Sequence, residues 1–313
     1  MAGIGIISNP NSRRNRRYPD QMRRLAYVLG EGDVGATTNS LEDVSEVARR
    51  FRDTDIDILA LNGGDGTNHV TLTRFIEVYG DKPLPMIALL RGGTMNTVSN
   101  AIGIRGRPNA LLVNIVEKYH LGHPFEISSR DLLYIDDGEK RSYGFIFGTG
   151  VISNFLSIYY ETGAPSPSMA ARILARGIGS VFINGPTIRR ILRPSRGKIW
   201  VDDELWQEGE FGALTASTID QIGLGFRPYY RCEAKPGAFH AIAFKTTPFG
   251  LAKLLPGIRF GKPLPYDQAP DVVTARMRFE SEEPMEYTVD GDIHSGGKCL
   301  DVGVGPRLRI IVK

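Results

Sequence analysis

The sequence of 313 residues predicts an α/β domain followed by a β-rich domain. The N-terminal part is expected to form an open, mostly parallel sheet covered by helices, and the C-terminal part an antiparallel β-sandwich. Up to about residue 120, short apolar runs alternate with helix-periodic segments, which is typical of βαβ units. After His123-Pro124, short strand-like runs separated by turn residues such as Asp136-Asp137-Gly138 take over, which favours antiparallel strands.

The N-terminal pattern predicts four strands and four helices. The strands are expected at 3–8, 33–37, 56–61 and 86–90, and the helices near 18–29, 41–53, 68–80 and 108–119. In the C-terminal part, strands are expected at 125–128, 132–135, 143–147, 198–201, 211–216, 239–244 and 308–312, with helical insertions near 149–161 and 168–183.

Composition indicates an ordinary globular protein with two domains. Apolar residues make up 42% and charged residues 23% of the chain. Cys232 and Cys299 lack metal-ligand spacing, so we expect reduced thiols. No signal peptide and no apolar run of about 18 residues is recognisable, so we expect a cytoplasmic protein that meets a membrane only peripherally.

Basic residues are unevenly distributed although the net charge is only +3. They cluster as Arg13, Arg14, Arg16, Arg17, Arg23 and Arg24, and again as Arg172, Arg176, Arg189, Arg190, Arg193 and Arg196. Such clusters bind phosphates or anionic lipid surfaces, or form a solvated helix face. No nucleic-acid-binding motif or interleaved aromatics accompany them, so we expect no nucleic acid partner.

A glycine-rich motif, Asn62-Gly63-Gly64-Asp65-Gly66-Thr67, follows the predicted strand 56–61. Glycines let a backbone approach an anion with its N–H groups exposed, and a threonine at the start of a helix offers a hydroxyl to phosphate. A carboxylate beside phosphates indicates a cation, so the motif predicts metal-assisted phosphate chemistry. The alternative is a tight strand-to-helix turn with a local bond from Asp65.

Two further loops end apolar runs in the same way. Arg91-Gly92-Gly93-Thr94-Met95-Asn96 follows the strand 86–90, and Asn9-Pro10-Asn11-Ser12 follows the first strand. Because neighbouring parallel strands open at one sheet edge, these loops are expected to lie together at their carboxyl ends.

These motifs, in this order, resemble the diacylglycerol kinase catalytic family, which includes bacterial lipid kinases, sphingosine kinases and ceramide kinases. The resemblance extends to Val289-Asp290-Gly291-Asp292, which is similar to the Asp-Gly-Glu motif of the family. It implies a nucleotide-binding domain at 1–122, to which a strand at about 303–313 returns, and a lipid-acceptor domain at 123–302. The implied fold is that of diacylglycerol kinase and NAD kinase.

The resemblance also implies residue roles. Asp290 is expected to take the proton of the acceptor hydroxyl, with Asp292 in the place of a supporting glutamate, and Asp65 to orient the phosphates through Mg²⁺ or water. Asp65 is therefore also the candidate metal ligand. The nucleotide-binding set is expected to be Asn9, Asn62, Gly63, Gly64, Gly66, Thr67, Gly93, Thr94 and Asn96. For Asp290-Gly291 alone, a plain hairpin turn is the alternative.

Three departures from the family pattern bear on activity. Arg13 and Arg14 stand where the family has serine and glycines, Asn96-Thr97 stands where Asn-Asp is common, and Asp292 replaces a glutamate. These departures bear on the geometry of Mg²⁺ binding and on the rate of the reaction more than on the fold.

The function expected from this resemblance is an ATP-dependent lipid kinase that uses Mg²⁺ and transfers the γ-phosphate to a hydroxyl of diacylglycerol, ceramide or a sphingoid-type lipid. The alternatives are an NAD kinase-like enzyme, or a catalytically weakened nucleotide- or lipid-binding regulator. The expected partner is a lipid at a membrane surface. Whether the protein forms a homodimer is left open by the sequence. The apolar segments 169–183 and 249–256 line either a lipid pocket or the core.

Overall fold

The computed structural model describes residues 3–20, 25, 28–29, 34–38, 40–163, 166–181 and 193–312. The chain divides into two units: unit 1 comprises Met1–Arg130 and Arg307–Lys313, and unit 2 comprises Asp131–Pro306. Within the described ranges, no helix has both the length and the apolar character needed to cross a bilayer.

Unit 1 is built on parallel strands. Its elements are β1 (Ile4–Ser8), α1 (Arg13–Arg17), β2 (Val34–Thr37), α2 (Leu41–Asp53), β3 (Ile58–Asn62), α3 (Asp65–Tyr79), β4 (Met86–Leu89), α4 (Thr97–Ala101) and α5 (Pro108–His120). The strand order is β2-β1-β3-β4, and all three pairings are parallel. Every residue of β1 and β3 is buried, as expected for a parallel sheet with both faces covered.

Unit 2 is built almost entirely on antiparallel strands. Its elements are β5 (Ile127–Asp136), β6 (Arg141–Gly144), β7 (Ile146–Thr149), α6 (Val151–Glu161), α7 (Pro167–Val181), β8 (Ser195–Val201), β9 (Glu204–Phe211), β10 (Ala213–Ser217), a 3₁₀ turn (Gly223–Gly225), β11 (Phe239–Phe244), α8 (Pro248–Arg259), β12 (Asp271–Thr274), β13 (Arg276–Ser281), β14 (Glu286–Val289), β15 (Asp292–Ser295) and β16 (Cys299–Ile311).

One sheet of unit 2 has the order β12-β11-β10-β7-β14-β15, and the strands β16-β13-β8-β9 form a second antiparallel array. A single core joins the two, since Phe147 and Tyr287 of the first pack in the same cluster as Phe279 and Leu300 of the second. The predicted class, a mostly parallel α/β sheet with a separate antiparallel sheet, is therefore confirmed. The final strand begins in unit 2 and ends in unit 1, where Ile310 pairs in parallel with Ile87 of β4.

Several element boundaries differ from the predicted ones. The runs 125–128 and 132–135 are joined in one strand, β5, which begins at Ile127 and continues through the half-buried Arg130 and Asp131. The run 143–147 is two strands that meet at Phe145, and β12 to β15 were not predicted. Half of the predicted helix 18–29 lies outside the described residues, as do the arginines Arg23, Arg24, Arg189 and Arg190.

The two apolar segments of open role both form helices. In α7, Ala170 and Ile173 pack in a small cluster with Tyr159, while Arg172 and Arg176 are exposed. The segment 249–256 lies in α8, which begins where the Thr247 side chain accepts a hydrogen bond from the N–H of Gly250. The core interpretation therefore holds for the inward faces of both helices.

Candidate active site

The glycine-rich motif of unit 1 forms the junction between β3 and α3. Gly64 is the N-cap of this 15-residue helix and has no side chain to cap it. Because the first N–H groups of a helix have no intrahelical acceptor, the N-terminus of α3 offers donors and a positive dipole end. This combination is a common binding site for phosphate groups.

The glycines of the two loops are required by close packing. A Cβ on Gly93 would clash with the Cα of Gly64, and a Cβ on Gly92 would lie 2.6 Å from Oδ1 of Asn62. None of these glycines has a positive φ, so their backbones need space rather than unusual torsion angles. The two predicted nucleotide loops are therefore in backbone contact within unit 1.

The carboxylate of Asp65 connects the first loop to the second through hydrogen bonds. It accepts hydrogen bonds from the N–H of Thr97 at 2.9 Å and of Val98 at 3.2 Å. These are the first N–H groups of α4, so Asp65 acts as a cap for a helix that starts 32 residues later. The predicted metal-binding role of Asp65 stays a prediction, and the structure adds this positioning role.

Asn96 closes the second loop on itself. Its Oδ1 accepts a hydrogen bond from the N–H of Gly93 and its Nδ2 donates to the carbonyl of Gly93, both at 3.1 Å. The residue has φ = 48°, a left-handed conformation that asparagine tolerates better than most residues. Thr94 lies in the same loop, between Gly93 and Asn96. Its hydroxyl forms no hydrogen bond with any residue that the structure describes.

Asn9 connects the first loop to the glycine-rich motif. Its Nδ2 donates to Oγ1 of Thr67 at 2.9 Å, which fixes the threonine hydroxyl at the start of α3. Asn15, which sequence reasoning missed, supports this contact: it is buried and its Nδ2 donates to the carbonyls of Asn9 at 2.8 Å and Asn62 at 3.0 Å. The only sequence signal for Asn15 is that it is a single asparagine among four arginines, in the run 13–17.

Asn62 is fully buried at the end of β3. Its Nδ2 donates to Oγ of Ser8 at 3.2 Å, while its Oδ1 has no hydrogen-bond partner among the described residues. An unsatisfied buried acceptor costs about 1–3 kcal/mol, and such costs are found mainly at functional positions.

The second loop begins with Arg91, and two further arginines, Arg14 and Arg105, lie near it. Arg91, at φ = 59°, donates through Nη1 to Oδ1 of Asn100 at 2.8 Å and to the carbonyl of Ile104 at 2.6 Å. Burial, and then the neighbouring cations Arg105 and Arg14, lower the pKa of Arg91. The positive charges of these three arginines, close to the candidate phosphate-binding residues, indicate a site suited to an anion.

In unit 2, Asp290 lies in the two-residue turn between β14 and β15. Asp290 and Gly291 have φ = 50° and 94°, so the turn is of the type that Asp-Gly pairs favour in hairpins. The carboxylate is nevertheless buried, and its Oδ1 accepts hydrogen bonds from the N–H groups of Phe145 and Ile146, both at 2.9 Å. The hairpin-turn interpretation of Asp290-Gly291 is therefore confirmed, and the role of Asp290 as the base stays a prediction.

Two residues that sequence reasoning missed define this turn. A Cβ on Gly144 would lie 2.8 Å from Oδ2 of Asp290, so only glycine leaves room for the carboxylate. Tyr160 of α6 donates its hydroxyl to the carbonyl of Gly291 at 3.0 Å. No local signal identifies either residue, because both contacts are long-range.

Asp292 opens β15, directly after the turn. Its burial raises the pKa from 3.8 to about 6. The carboxyl group is therefore partly protonated near neutral pH, unlike an ordinary aspartate.

Within the part of the chain that the structure describes, no three His, Cys, Asp or Glu side chains come together as a metal-binding group. Both oxygens of Asp65 already accept backbone hydrogen bonds. The side chains present therefore do not fit a resident metal held by protein ligands alone. They are compatible with Mg²⁺ that arrives on the nucleotide phosphates, the usual mode for this ion.

Comparison with known proteins finds similarity in both sequence and fold. Residues 4–122 match the family model described as "Diacylglycerol kinase catalytic domain". This match confirms, for residues 4–122, the resemblance drawn from the sequence. The sequence matches no curated protein.

Solved structures extend the likeness to the whole chain. One is described as a diacylglycerol kinase from Bacillus anthracis str. Sterne; it has a TM-score of 0.69 at 15% identity, over 100% of this chain and 97% of that one. Another is yeast NADH kinase complexed with NADH, with a TM-score of 0.53 at 11% identity, over 99% of this chain and 83% of that one. At these identities, the likeness shows a shared fold.

Proposed function

We propose that the chain is a lipid kinase that transfers the γ-phosphoryl group of ATP to a lipid hydroxyl. The observation that carries this proposal is the contact between the two glycine loops at the N-terminus of α3, with Gly64 against Gly93. A backbone packed this closely, with donors at a helix start, suits the phosphates of a nucleotide. The family match over residues 4–122 supports the same choice.

Unit 1 would hold the donor. The N–H groups at the start of α3 and the hydroxyl of Thr67, oriented by Asn9, would contact phosphate oxygens. Thr94 would add a hydroxyl from the second loop, and the neighbouring arginines would offset the phosphate charge. Mg²⁺, supplied with ATP as its complex, would neutralise charge that develops on the transferred group.

Unit 2 would supply the base. As the lipid oxygen bonds to the γ-phosphorus, the bond from that phosphorus to the bridging oxygen of ADP breaks, and the hydroxyl proton moves to Asp290. Hydrogen bonds from the N–H groups of Phe145 and Ile146 fix one oxygen of Asp290, so its carboxylate has a defined orientation. Tyr160, which donates its hydroxyl to the carbonyl of Gly291, would keep the turn in place.

An NAD kinase-like enzyme is the second candidate. The observation that favours it is the fold shared with yeast NADH kinase, together with the Gly63-Gly64-Asp65-Gly66-Thr67 motif. The donor chemistry would be the same, and only the acceptor would differ. A regulator without catalysis is the third, and Asn96-Thr97, where a carboxylate is common in the family, favours it.

The test is one assay with several acceptors. Purified protein is incubated with labelled ATP and Mg²⁺ beside mixed micelles that contain diacylglycerol, ceramide or sphingosine, and in parallel with NAD. Labelled lipid supports the proposal and identifies the acceptor. Labelled NADP alone would establish the NAD kinase-like alternative, and ATP binding without any product would establish the regulator.

A further inference from the structure

Helix α8 and the loop after it, residues 248–266, expose aromatic side chains to an unusual degree. Phe260 is 73%, Tyr266 58% and Phe249 47% exposed. Exposed single apolar residues are common, but three exposed aromatic rings within 18 positions of one segment, here called the patch, indicate an interaction site.

The same segment is basic. It contains Lys253, Arg259 and Lys262 and no aspartate or glutamate. Nζ of Lys253 lies 4.4 Å from the ring centre of Phe249, and the guanidinium of Arg259 lies 6.0 Å from that of Phe260. None of the three cations forms an ion pair with a described residue. The surface therefore combines exposed rings with uncompensated positive charge.

The opposite face of α8 is anchored in the core. Leu254 and Ile258 are buried in a cluster with Tyr229 and Phe244. The guanidinium of Arg259 also donates to the carbonyl of Gly225 at 2.9 Å. The inward face thus accounts for the stability of the helix, and the exposed rings of Phe260 and Tyr266 are not needed for it.

We propose that residues 248–266 form the surface by which this protein docks on a bilayer containing anionic lipids. Aromatic rings partition into the interfacial zone of a bilayer, and lysine and arginine next to them pair with anionic headgroups. The positive charge, with no acidic residue in the segment, favours this partner over a second copy of the chain. The inference rests on the proposed function, because a lipid kinase must reach an acceptor that resides in a membrane.

The test measures binding to vesicles in the absence of nucleotide. Wild-type protein is sedimented with phosphatidylcholine vesicles and with vesicles that also contain phosphatidylglycerol. We compare it with the double variants F260A/Y266A and K253Q/K262Q. The matched controls are L121A, which changes another exposed apolar residue, 61% exposed, and K235Q, which removes an exposed lysine.

We expect at least ten-fold tighter binding to the anionic vesicles for the wild type and for both controls. F260A/Y266A is expected to weaken this binding at least ten-fold. K253Q/K262Q is expected to weaken it about 25-fold at low salt, since each cation near the surface contributes about five-fold. As an independent readout, F260W should show a blue-shifted emission on anionic vesicles only. Circular dichroism checks that each variant is folded.

Equal binding by wild type and both double variants would overturn the proposal. So would a wild-type dimer that F260A/Y266A converts to a monomer, because the patch would then be an interface between copies. Failure of the proposed function is recognised separately. Vesicle binding that depends on the patch, in a protein that phosphorylates no acceptor, would support the docking surface and contradict the kinase. Activity on a short-chain acceptor in solution should be unchanged in both double variants.

Discussion

The carboxylate of Asp65 accepts a hydrogen bond from the backbone N–H of Thr97 at 2.9 Å, and this bond joins the two glycine loops of unit 1. Its other oxygen accepts from Val98. A residue expected to work through a metal thus also holds the loop that carries Thr94. Asp65 should therefore be needed both for nucleotide binding and for the contact between the two loops.

Replacement of Asp65 tests this double role. Asp65→Ala leaves two N–H groups of α4 without an acceptor, so we expect about 1–3 kcal/mol lower stability and at least ten-fold weaker ATP binding. Asp65→Asn keeps one acceptor oxygen and should lose about half of that stability. Urea unfolding and calorimetric titration with ATP measure the two effects. Unchanged stability in Asp65→Ala would contradict the capping role.

The contact between Gly64 and Gly93 can be tested with one methyl group. In Gly93→Ala the new Cβ would clash with the backbone of Gly64, which cannot move aside as a side chain could. We expect a loss of about 1–3 kcal/mol in stability and at least ten-fold weaker nucleotide binding.

The matched control is Gly179→Ala in α7, where a Cβ meets no atom within 4 Å. Because alanine is a better helix former, this variant should be neutral or up to about 1 kcal/mol more stable. If both alanine variants bound ATP equally well, the close approach of the loops would not matter for function.

Tyr160→Phe tests the position of the turn that carries Asp290. The variant removes the hydrogen bond to the carbonyl of Gly291 and keeps the ring. We expect kcat to fall about three- to ten-fold at unchanged affinity for ATP, with about 1 kcal/mol lower stability. Tyr18→Phe, at the same 44% exposure, should change neither kcat nor stability. A change in ATP affinity instead of kcat would argue against a positioning role.

Stability should depend on pH through Asp292. Its pKa is about 6 in the folded protein against 3.8 as the ordinary value, so between these pH values the folded state binds more protons than the unfolded state. Stability therefore falls as the pH rises through this window. The unfavourable burial of the charged carboxylate is fully present well above pH 6 and amounts to about 3 kcal/mol.

Asp292→Asn removes the charge and should raise stability by about 3 kcal/mol at pH 8 and have almost no effect at pH 3.8. Urea denaturation at the two pH values measures the difference. A stabilisation of equal size at both pH values would show that the charge of Asp292 is not its source.

The fold class and the two glycine loops could be predicted because their signals are local. Apolar runs followed by glycines mark strand ends. The close approach of the two loops leaves no room for a Cβ at Gly93 and little room for one at Gly64. The N-terminal alternation of strands and helices is equally local, which is why the range 41–53 predicted for α2 matches its observed bounds.

The contacts that orient the site could not be predicted, because they join distant positions. Phe145 and Ile146 lie about 145 positions before the carboxylate of Asp290 that they bind, and nothing in their own neighbourhood marks them. The same holds for Gly144, whose missing side chain makes room for Asp290. Helix α8 was left undefined because Pro256 within it is untypical of a helix interior.

Asp290→Asn removes the proposed base for the acceptor hydroxyl and leaves the shape of the side chain unchanged. Asparagine tolerates the positive φ and can still accept the hydrogen bonds from Phe145 and Ile146, so the turn should keep its shape. With labelled ATP, Mg²⁺ and diacylglycerol micelles, we predict wild-type turnover and at least 100-fold lower kcat in Asp290→Asn, at unchanged ATP affinity. A variant that binds ATP normally and phosphorylates lipid within three-fold of the wild-type rate would contradict the account.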